Sequence, residues 1–593
     1  MFTDKSIYDW IIEEEASFKT VRVPITTNVD WNMHEHIERC TNVSNGWYHT
    51  GVNDGTRPYK DIVSPIINVA IRSEGFDVKD IVPFVNDARY YYKSFLVKKR
   101  HPQWAREHEI DTFIDEMVES SVVYDLALIK NVNNERPEVV PLQSIAFCDQ
   151  TDVLSGPLAL KHQYSEAELL AFKGKWYSDQ IDIAIAGAKA SKPVSMANDR
   201  EVKTPGKYIE VYEVHGTFPN HWLEDKLNTE LYDVNETSPQ MHIVAYYKGV
   251  DGKKKGVCLF KGMERKPIFK RIVLKPIFGR ACGRSIVESL FEDQVWTNYS
   301  GIQLKEMLDA AAVVLFTTDD EDIASQKLTN IKKNKILKLT QGKTFLRTDT
   351  TVPNITAFQN DQTFREQNAR ILGSASEGSL GINPTSGTPF KLQDLIVQQG
   401  MGIHEYRQGK IATFMSDQLY RDWILKYLVD DMNGGKKFSE ELSMDELAEI
   451  ADAITNNEIE RRIKRMILAT GKVPTMEERD IMKKTFRDNF MKQGKRRFFE
   501  VLKGELDNVP VDVYVNIAGK QKYLAQMADK LTNLIREIMK NPMAFVQVPG
   551  LGKAYNQLLE SSGLSPIDFS SIIKPEEIKT ASVGAKEEEV IPA

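Results

Sequence analysis

Cysteine is scarce in this chain. Its 593 residues include four, Cys40, Cys148, Cys258 and Cys282. No two form a C-x-x-C pair, so the sequence indicates neither a zinc knuckle nor a disulfide framework. That usage suits synthesis in a reducing, cytosolic place. Long apolar runs are missing too. The longest, AAAVVLF at 310–316, is far below the roughly 18–20 residues a membrane helix needs. Positive charge is not in excess: 77 Lys and Arg against 84 Asp and Glu leave −7. Bulk electrostatics therefore give no pull toward nucleic acid. The N-terminal stretch MFTDKSIYDWIIEEEASFK is acidic and lacks the apolar core of a secretory signal. There is no H-E-x-x-H, no G-x-S-x-G and no internal repeat.

What is present is ordinary globular material, 41% apolar and 27% charged, in a chain too long for one hydrophobic core. Residues 1 to about 130 carry apolar positions at helical spacing. Around 140–280 the texture changes to short alternating runs. YIEVYEVHGTF, QMHIVAYYKG and KKGVCLFKGM read as strands, and GVDGKKKG between the last two reads as a hairpin turn. Residues 284–311 read as one helix about 40 Å long. In it Val287, Phe291, Val295 and Tyr299 recur every four residues, and Ser285 with Glu288 offers a capping box. AAVVLFTT and NKILKLTQGKTFLRT then read as strands, and TFREQNARILGSAS as a second helix. A loop of small residues, LGSASEGSLGINPTSGTPFK at 372–391, leads to a long helical stretch at 392–432. Gly400, Gly402 and Gly409 mark expected kinks there, each costing about 1 kcal/mol relative to alanine. More helices are expected over 443–505, a strand in VPVDVYVNI at 509–517, and an amphipathic helix beyond it. The end, KTASVGAKEEEVIPA, has a disorder-like composition. The fold class expected is α+β.

No catalytic constellation emerges. GKT at 342–344 lacks the Walker A glycine five positions earlier, where Leu337 stands, and its flanks alternate like a hairpin. A turn carrying a lysine is the favoured reading. In the small-residue loop Gly373, Gly378, Gly381 and Gly387 miss the dinucleotide spacing, and a helix precedes them instead of a strand. His34 and His36 would share a face on a strand but have no evident third ligand, so a surface pair is favoured. His108, Glu109, Asp111, Asp115 and Glu116 suggest a solvated acidic helix face. DDED at 319–322 has oxygen ligands that magnesium accepts, yet adjacent acids more often face water. Basic clusters at 97–101, 252–256, 460–465 and 494–499 read as solvated faces or subunit contacts. No cofactor, no metal site and no enzymatic activity are expected.

The order of parts in the middle carries a resemblance. A sheet-rich region ends in KPIFGRACGRSIVESLFEDQVWTN; a long helix, a small α/β insertion and a returning helix follow. Next come GINPTSGTP and a kinked helix ending in MSDQLYRDWILKYLVDDM. Over roughly 205–432 this resembles the portal proteins of tailed bacteriophages. FGRACGRSIVESLFEDQVWTNY, with Glu288, Gln294 and Asn298, is similar to their approach into the first stem helix.

The resemblance implies a dodecameric ring around a DNA channel. It assigns 1–284 to the wing, 285–311 to stem helix 1, 312–361 to the clip and 362–377 to stem helix 2. It assigns 378–391 to a tunnel loop, 392–515 to the rest of the wing and 516–573 to a C-terminal helical crown, with 574–593 as a disordered tail. Implied partners are further copies of the chain, double-stranded DNA passed without sequence recognition, the terminase large subunit, the major capsid protein, and head-completion, adaptor and tail proteins. No membrane is implied. The implied location is the portal vertex of a virion assembled in the host cytoplasm. Gly378, Ser379, Gly381, Asn383, Ser386 and Gly387 would face the DNA. Lys332, Lys333 and Lys335 are candidates for partner contact at the clip, with a solvated turn as the other reading. Glu377 and Lys391 would meet neighbouring subunits. A conduit should not grip, since each neutralised phosphate adds salt-dependent affinity, and an acidic chain suits that. Another ring-forming head–tail connector stays open as the alternative.

Overall fold

The structure is a computed structural model. It describes residues 6–46, 60–84, 91–132, 136–190, 208–223, 236–248, 254–264, 266–312, 315–319, 341–348, 355–373, 403–433, 437–441, 462–469, 473–492, 496–500 and 512–515, with single positions or pairs elsewhere up to 471. In chain order the elements begin with α1 (Ile7–Thr20), β1 (Val23–Thr26), β2 (Val29–Trp31), α2 (Met33–Ser44), α3 (Ser64–Glu74), β3 (Ile81–Phe84), α4 (Tyr91–Glu107) and α5 (Ile110–Tyr124). Then come β4 (Ala127–Lys130), β5 (Glu138–Val140), β6 (Ile145–Phe147), β7 (Leu158–Tyr164), α6 (Glu166–Ala171), α7 (Ser178–Ala190), β8 (Ile209–Pro219), β9 (Thr237–Lys248), β10 (Lys254–Met263) and β11 (Phe269–Ile272). After these stand α8 (Ile286–Ala312), β12 (Leu315–Thr318), β13 (Phe345–Thr348) and α9 (Ile355–Leu372). A helix at 403–414, α10, continues through a π-helix (Met415–Ile424) into α11 (Leu425–Asn433). Last are β14 (Lys437–Glu441), α12 (Met476–Lys492), β15 (Arg496–Glu500) and β16 (Asp512–Val515). Helices beside antiparallel sheets are compatible with the α+β class.

The chain divides into two compact units. The first holds Met1–Glu74, Met117–Lys130 and Val139–Glu405. Its largest element is a five-stranded sheet in the order β10-β9-β8-β7-β6. The hairpin read at GVDGKKKG is there, with Lys254 opposite Lys248 and Met263 opposite Gln240. Strand periodicity separates the faces of β8. Ile209 and Val211 join Ile243, Ala245 and Leu259 in a core closed by Leu169 of α6 and by Ile181 and Ala184 of α7. On the opposite face, Tyr212 donates to Glu15 of α1 at 2.7 Å, and the Tyr246 hydroxyl donates to the Tyr8 carbonyl at 2.7 Å. Further along the first face, Glu213 and His215 replace the apolar residues and meet Lys130 of β4 and Phe269 of β11. Those two strands belong to a second sheet, β11-β4-β5.

The second unit holds Gly75–Glu116, Asn131–Glu138 and Tyr406–Ala593. Two of the expected helical stretches contain strands. Ile81–Phe84 pairs antiparallel with Asp512–Val515, the strand expected in VPVDVYVNI. Pro83 does not suit a helix interior, where its missing N–H would break the ladder. Arg496–Glu500, within the stretch read as helical over 443–505, pairs with Lys437–Glu441. That register sets Glu441 opposite Arg496, Glu440 opposite Arg497 and Lys437 opposite Glu500. The basic cluster at 97–101 is not simply a solvated face: Lys98 is exposed, while Arg100 and His101 are buried. Arg100 donates to both oxygens of Glu107, at 3.0 and 2.5 Å, and lies 3.5 Å from Asp431. Nor does Gly409 kink the run at 403–433 as expected. Gly409 lies within straightforward α-helix, with open space where a Cβ would stand. The irregularity lies further on, in the ten-residue π-helix. Gly400 and Gly402 lie outside the described residues.

Candidate functional site

The segment before α8 is held by close backbone approach. Gly279 has φ +83°, which glycine adopts without strain. A Cβ on Gly283 would stand 1.8 Å from a carboxylate oxygen of Asp125 and 2.5 Å from the Lys275 carbonyl. That carboxylate accepts from the Lys275 amide at 2.7 Å. Arg280 spans the turn. Its guanidinium donates to the carbonyls of Cys282 (3.0 Å) and Gly283 (2.8 Å) and to both oxygens of Glu288 (2.9 and 2.6 Å), and it lies over the Trp31 ring at 5.2 Å. Half of the expected capping box forms: Ser285 Oγ accepts from the Glu288 amide at 2.9 Å. The reciprocal bond is replaced, because the Glu288 side chain turns to Arg280. Burial opposes ionisation of Glu288, but the Arg280 bonds outweigh it and keep its pKa below the usual carboxylate value.

Beneath this turn lie His36 and Cys40, one helical turn apart on α2. Cys40 Sγ is 3.7 Å from His36 Nε2 and 3.9 Å from Ser285 Oγ. The two histidines expected as a surface pair are on a helix, and His36 is buried. Burial pushes the Cys40 thiol up to about 12 and His36 down to about 4. Near neutral pH the pair is a protonated thiol beside a neutral imidazole, which does not supply a thiolate nucleophile.

α8 buries polar side chains and exposes aromatic ones. Asp293, Gln294, Thr297, Asn298 and Ser300 are buried, whereas Trp296 and Tyr299 are about half exposed at 50% and 53%. The four-residue row from Val287 to Tyr299 explains part of this. Each step of four overshoots a 3.6-residue turn by about 40°, so three steps wind about 120° around the helix. The row begins buried at Val287 and ends exposed at Tyr299.

Asp293, Gln294, Asn298 and Ser300 bond within the unit, while the Thr297 hydroxyl and the Asn298 Nδ2 are buried without a hydrogen-bond partner among the described residues. Gln294 accepts from the Ile62 amide at 3.0 Å and donates to the Lys60 carbonyl at 2.8 Å and to Asn298 Oδ1 at 3.0 Å. Asn298 Oδ1 also receives the Lys60 amide at 3.4 Å. Asp61, between these anchored residues, accepts the amides of Val63 and Ser64 at the start of α3. Toward α9, Asp293 accepts from Asn368 (2.5 Å) and Arg365 (3.4 Å), and Ser300 donates to Asp361 (3.1 Å). Lys60 pairs with Glu366. Partners descend along α9 as they ascend along α8, so the helices are antiparallel. At the C-terminal end of α9, Gly373 is buried, and a Cβ there would stand 2.1 Å from Ile66 of α3.

The outward side of the pair is aromatic and cationic. Arg365 lies over the rings of Trp296 (5.7 Å) and Phe364 (5.8 Å), and Trp296 meets Tyr299 edge-on at 6.0 Å. Phe364 is 60% exposed and Ile371 76%. Between the two helices in sequence, β12 pairs with β13, Thr318 opposite Phe345. GKT forms the turn before β13: Gly342 has φ +89°, Lys343 donates to the Asp319 carbonyl at 2.7 Å, and the Thr344 hydroxyl donates to the Asp319 carboxylate at 2.9 Å. A strand follows this turn, whereas a phosphate loop requires a helix.

Lys332, Lys333, Lys335, Glu377, Lys391 and the loop residues Gly378, Ser379, Gly381, Asn383, Ser386 and Gly387 lie outside the described residues. Sequence reasoning singled out Glu288, Gln294 and Asn298 but not what they hold. The Lys60–Ile62 backbone, Arg280 and the Asp293–Arg365 pair were missed. A helical polar row at positions 293, 294, 297 and 298 was the available signal. No known protein family's sequence profile matches the chain, and no curated protein matches it in sequence. Among solved structures the chain is similar to the neck of an empty GTA particle computed with C6 symmetry. The TM-score is 0.32 at 8% identity, over 94% of this chain and 99% of that one.

Proposed function

We propose that this chain is a portal protein: a dodecameric ring at one capsid vertex, through which double-stranded DNA is packaged and ejected. One observation carries the reading. The antiparallel α8–α9 pair turns Asp293, Gln294, Asn298 and Ser300 into hydrogen bonds within the chain and leaves Trp296, Tyr299, Phe364 and Ile371 outward, with a two-stranded sheet between the helices in sequence. Aromatic residues and arginine are the side chains that anchor protein interfaces. A ring needs two different complementary faces on each copy, and an elongated helix pair supplies them. In this reading the terminase large subunit docks during filling, head-completion and tail proteins dock afterwards, and the major capsid protein surrounds the ring. The chain performs no catalysis. The turn geometry of GKT speaks against a phosphate loop there, and the protonated Cys40 beside His36 against a thiolate nucleophile.

Electron microscopy of the purified full chain tests the proposal. Twelve-fold rings with an open channel are expected. A chain that stays monomeric or dimeric, with and without capsid and scaffold proteins, would overturn it. Rings found only between head and tail, never at the vertex during DNA filling, would instead favour a head–tail connector without a portal role.

A further inference from the structure

The run from 403 to 433 changes helical type partway. Residues 403–414 are α-helical, Met415–Ile424 form a π-helix, and Leu425–Asn433 return to α. π-Helices are mostly single-turn bulges and concentrate at functional positions, so ten residues is long. The reason is in the spacing. Buried groups recur about every four residues: Phe414–Ser416, Leu419/Tyr420, Trp423–Leu425 and Tyr427/Leu428. The residues between them, Asp417/Gln418 and Arg421/Asp422, are exposed. In an α-helix, three steps of four would turn the last group about 120° from the first. A wider turn keeps all four groups on one face.

Local bonds fit the wide register. The Tyr420 hydroxyl lies 3.0 Å from Nε2 of His101 on α4, both residues being buried in the second unit. At the start of the π-helix the Ser416 hydroxyl supplies an extra donor, to the Thr413 carbonyl at 3.1 Å. An α register would improve the backbone ladder but swing one buried group away. Each register therefore satisfies what the other sacrifices.

We propose that Met415–Ile424 is a two-register switch in which one π-turn converts to α-helix. A π-turn holds about one residue more than an α-turn. Its loss rotates α10 by about 100° and advances it about 1.5 Å relative to α11. Gln408 and Ala412 then come to the angular positions now held by Arg407 and Ile411. The segment Met415–Ile424 lies in the second unit, and the proposal does not depend on the portal reading.

Hydrogen exchange on the full chain, read by mass spectrometry, tests it. Amides of 415–424 should exchange about tenfold faster than those of 407–414 and 425–433, although six of the ten residues at 415–424 are buried. Deleting Gln418 changes the spacing of Met415, Leu419, Trp423 and Tyr427 from four, four, four to three, four, four, an average of about 3.7 that suits an α-helix. In that variant, exchange at 415–424 should slow to match the flanks. If the deletion prevents folding, Tyr420→Phe serves: loss of its bond to His101 should speed exchange at 415–424 and leave 425–433 unchanged. Native exchange equal to the flanks would overturn the switch. So would unslowed exchange in a folded deletion variant, or unchanged exchange in Tyr420→Phe where the deletion does not fold.

Discussion

Gln294 of α8 donates to the backbone carbonyl of Lys60 at 2.8 Å, across 234 positions of sequence. Its carboxamide oxygen meanwhile accepts the amide of Ile62. One side chain thus does for this segment what a neighbouring strand would do. Replacing it with leucine keeps the size and strands both backbone groups. An unsatisfied buried group costs about 1–3 kcal/mol. Gln294→Leu should therefore lower stability by about 2–4 kcal/mol, seen as a lower urea midpoint with an unchanged m-value.

Trp296 makes the opposite prediction from the same helix. Its ring is half exposed and touches the protomer mainly through Arg365 and Tyr299. Trp296→Ala should change protomer stability by less than about 1 kcal/mol, while an interface anchor would lose about 2 kcal/mol or more at each contact. On the proposed ring reading, sedimentation of the purified variant should show fewer rings than wild type, with the thermal midpoint of the single chain little changed. Rings at wild-type levels would remove Trp296 from the interface.

Gly283 tests the turn before α8. An alanine methyl would fall within 1.8 Å of Asp125 and 2.5 Å of a backbone carbonyl, and neither is the free end of a long side chain. Gly283→Ala should destabilise the first unit by about 2 kcal/mol or more. Gly409→Ala is the control. It meets open space within an α-helix and should stabilise by about 0.5–1 kcal/mol. Thermal melts of both variants check the pair.

The periodic parts of this fold were legible. The β9–β10 hairpin, α8 and the strand at 512–515 follow from alternation and helical spacing, because burial on one face imposes that spacing. What escaped was set by distant partners. Ile81–Phe84 becomes a strand only because Asp512–Val515 lies beside it. Arg496–Glu500 carries no strand alternation, and its partner strand, Lys437–Glu441, lies more than fifty positions away in sequence. At the helix pair, Gln294 and Asn298 were visible as residues. Their role was not, since the groups they hold are backbone atoms, which have no sequence signature. The π-helix escaped for a different reason. Glycines draw attention as helix breakers, yet the period of about four residues in the buried groups from Phe414 to Leu428 was the feature at odds with a 3.6-residue helix.

His215 on β8 gives a pH prediction. Its Nε2 lies 3.1 Å from Glu213 and its Nδ1 3.0 Å from Glu264, so both ring nitrogens face carboxylates. Glu213 also receives Lys130 at 2.7 Å and His162 at 3.0 Å. Burial alone would lower the pKa of His215, but the bonds to Glu213 and Glu264 outweigh it and raise it above 6.5. Burial alone would raise Glu213; the bonds from His162 and His215, and the charge of Lys130, hold it well below 4.5. A raised histidine stabilises fully below its unfolded pKa and loses that contribution as pH climbs through the folded one. A lowered carboxylate stabilises fully above its unfolded pKa and loses that contribution as pH falls through the folded one. The cluster therefore contributes most between the unfolded values, 4.5 for Glu213 and 6.5 for His215. Urea midpoints should be highest in that window and decline on the alkaline side. Other groups titrate there too, so the comparison is with His215→Gln, which keeps a donor but no charge. Its midpoint should fall below wild type at pH about 6, and the difference should shrink as wild-type His215 deprotonates above its folded pKa. A difference that stays constant with pH would mean the imidazole is not charged between its two carboxylates.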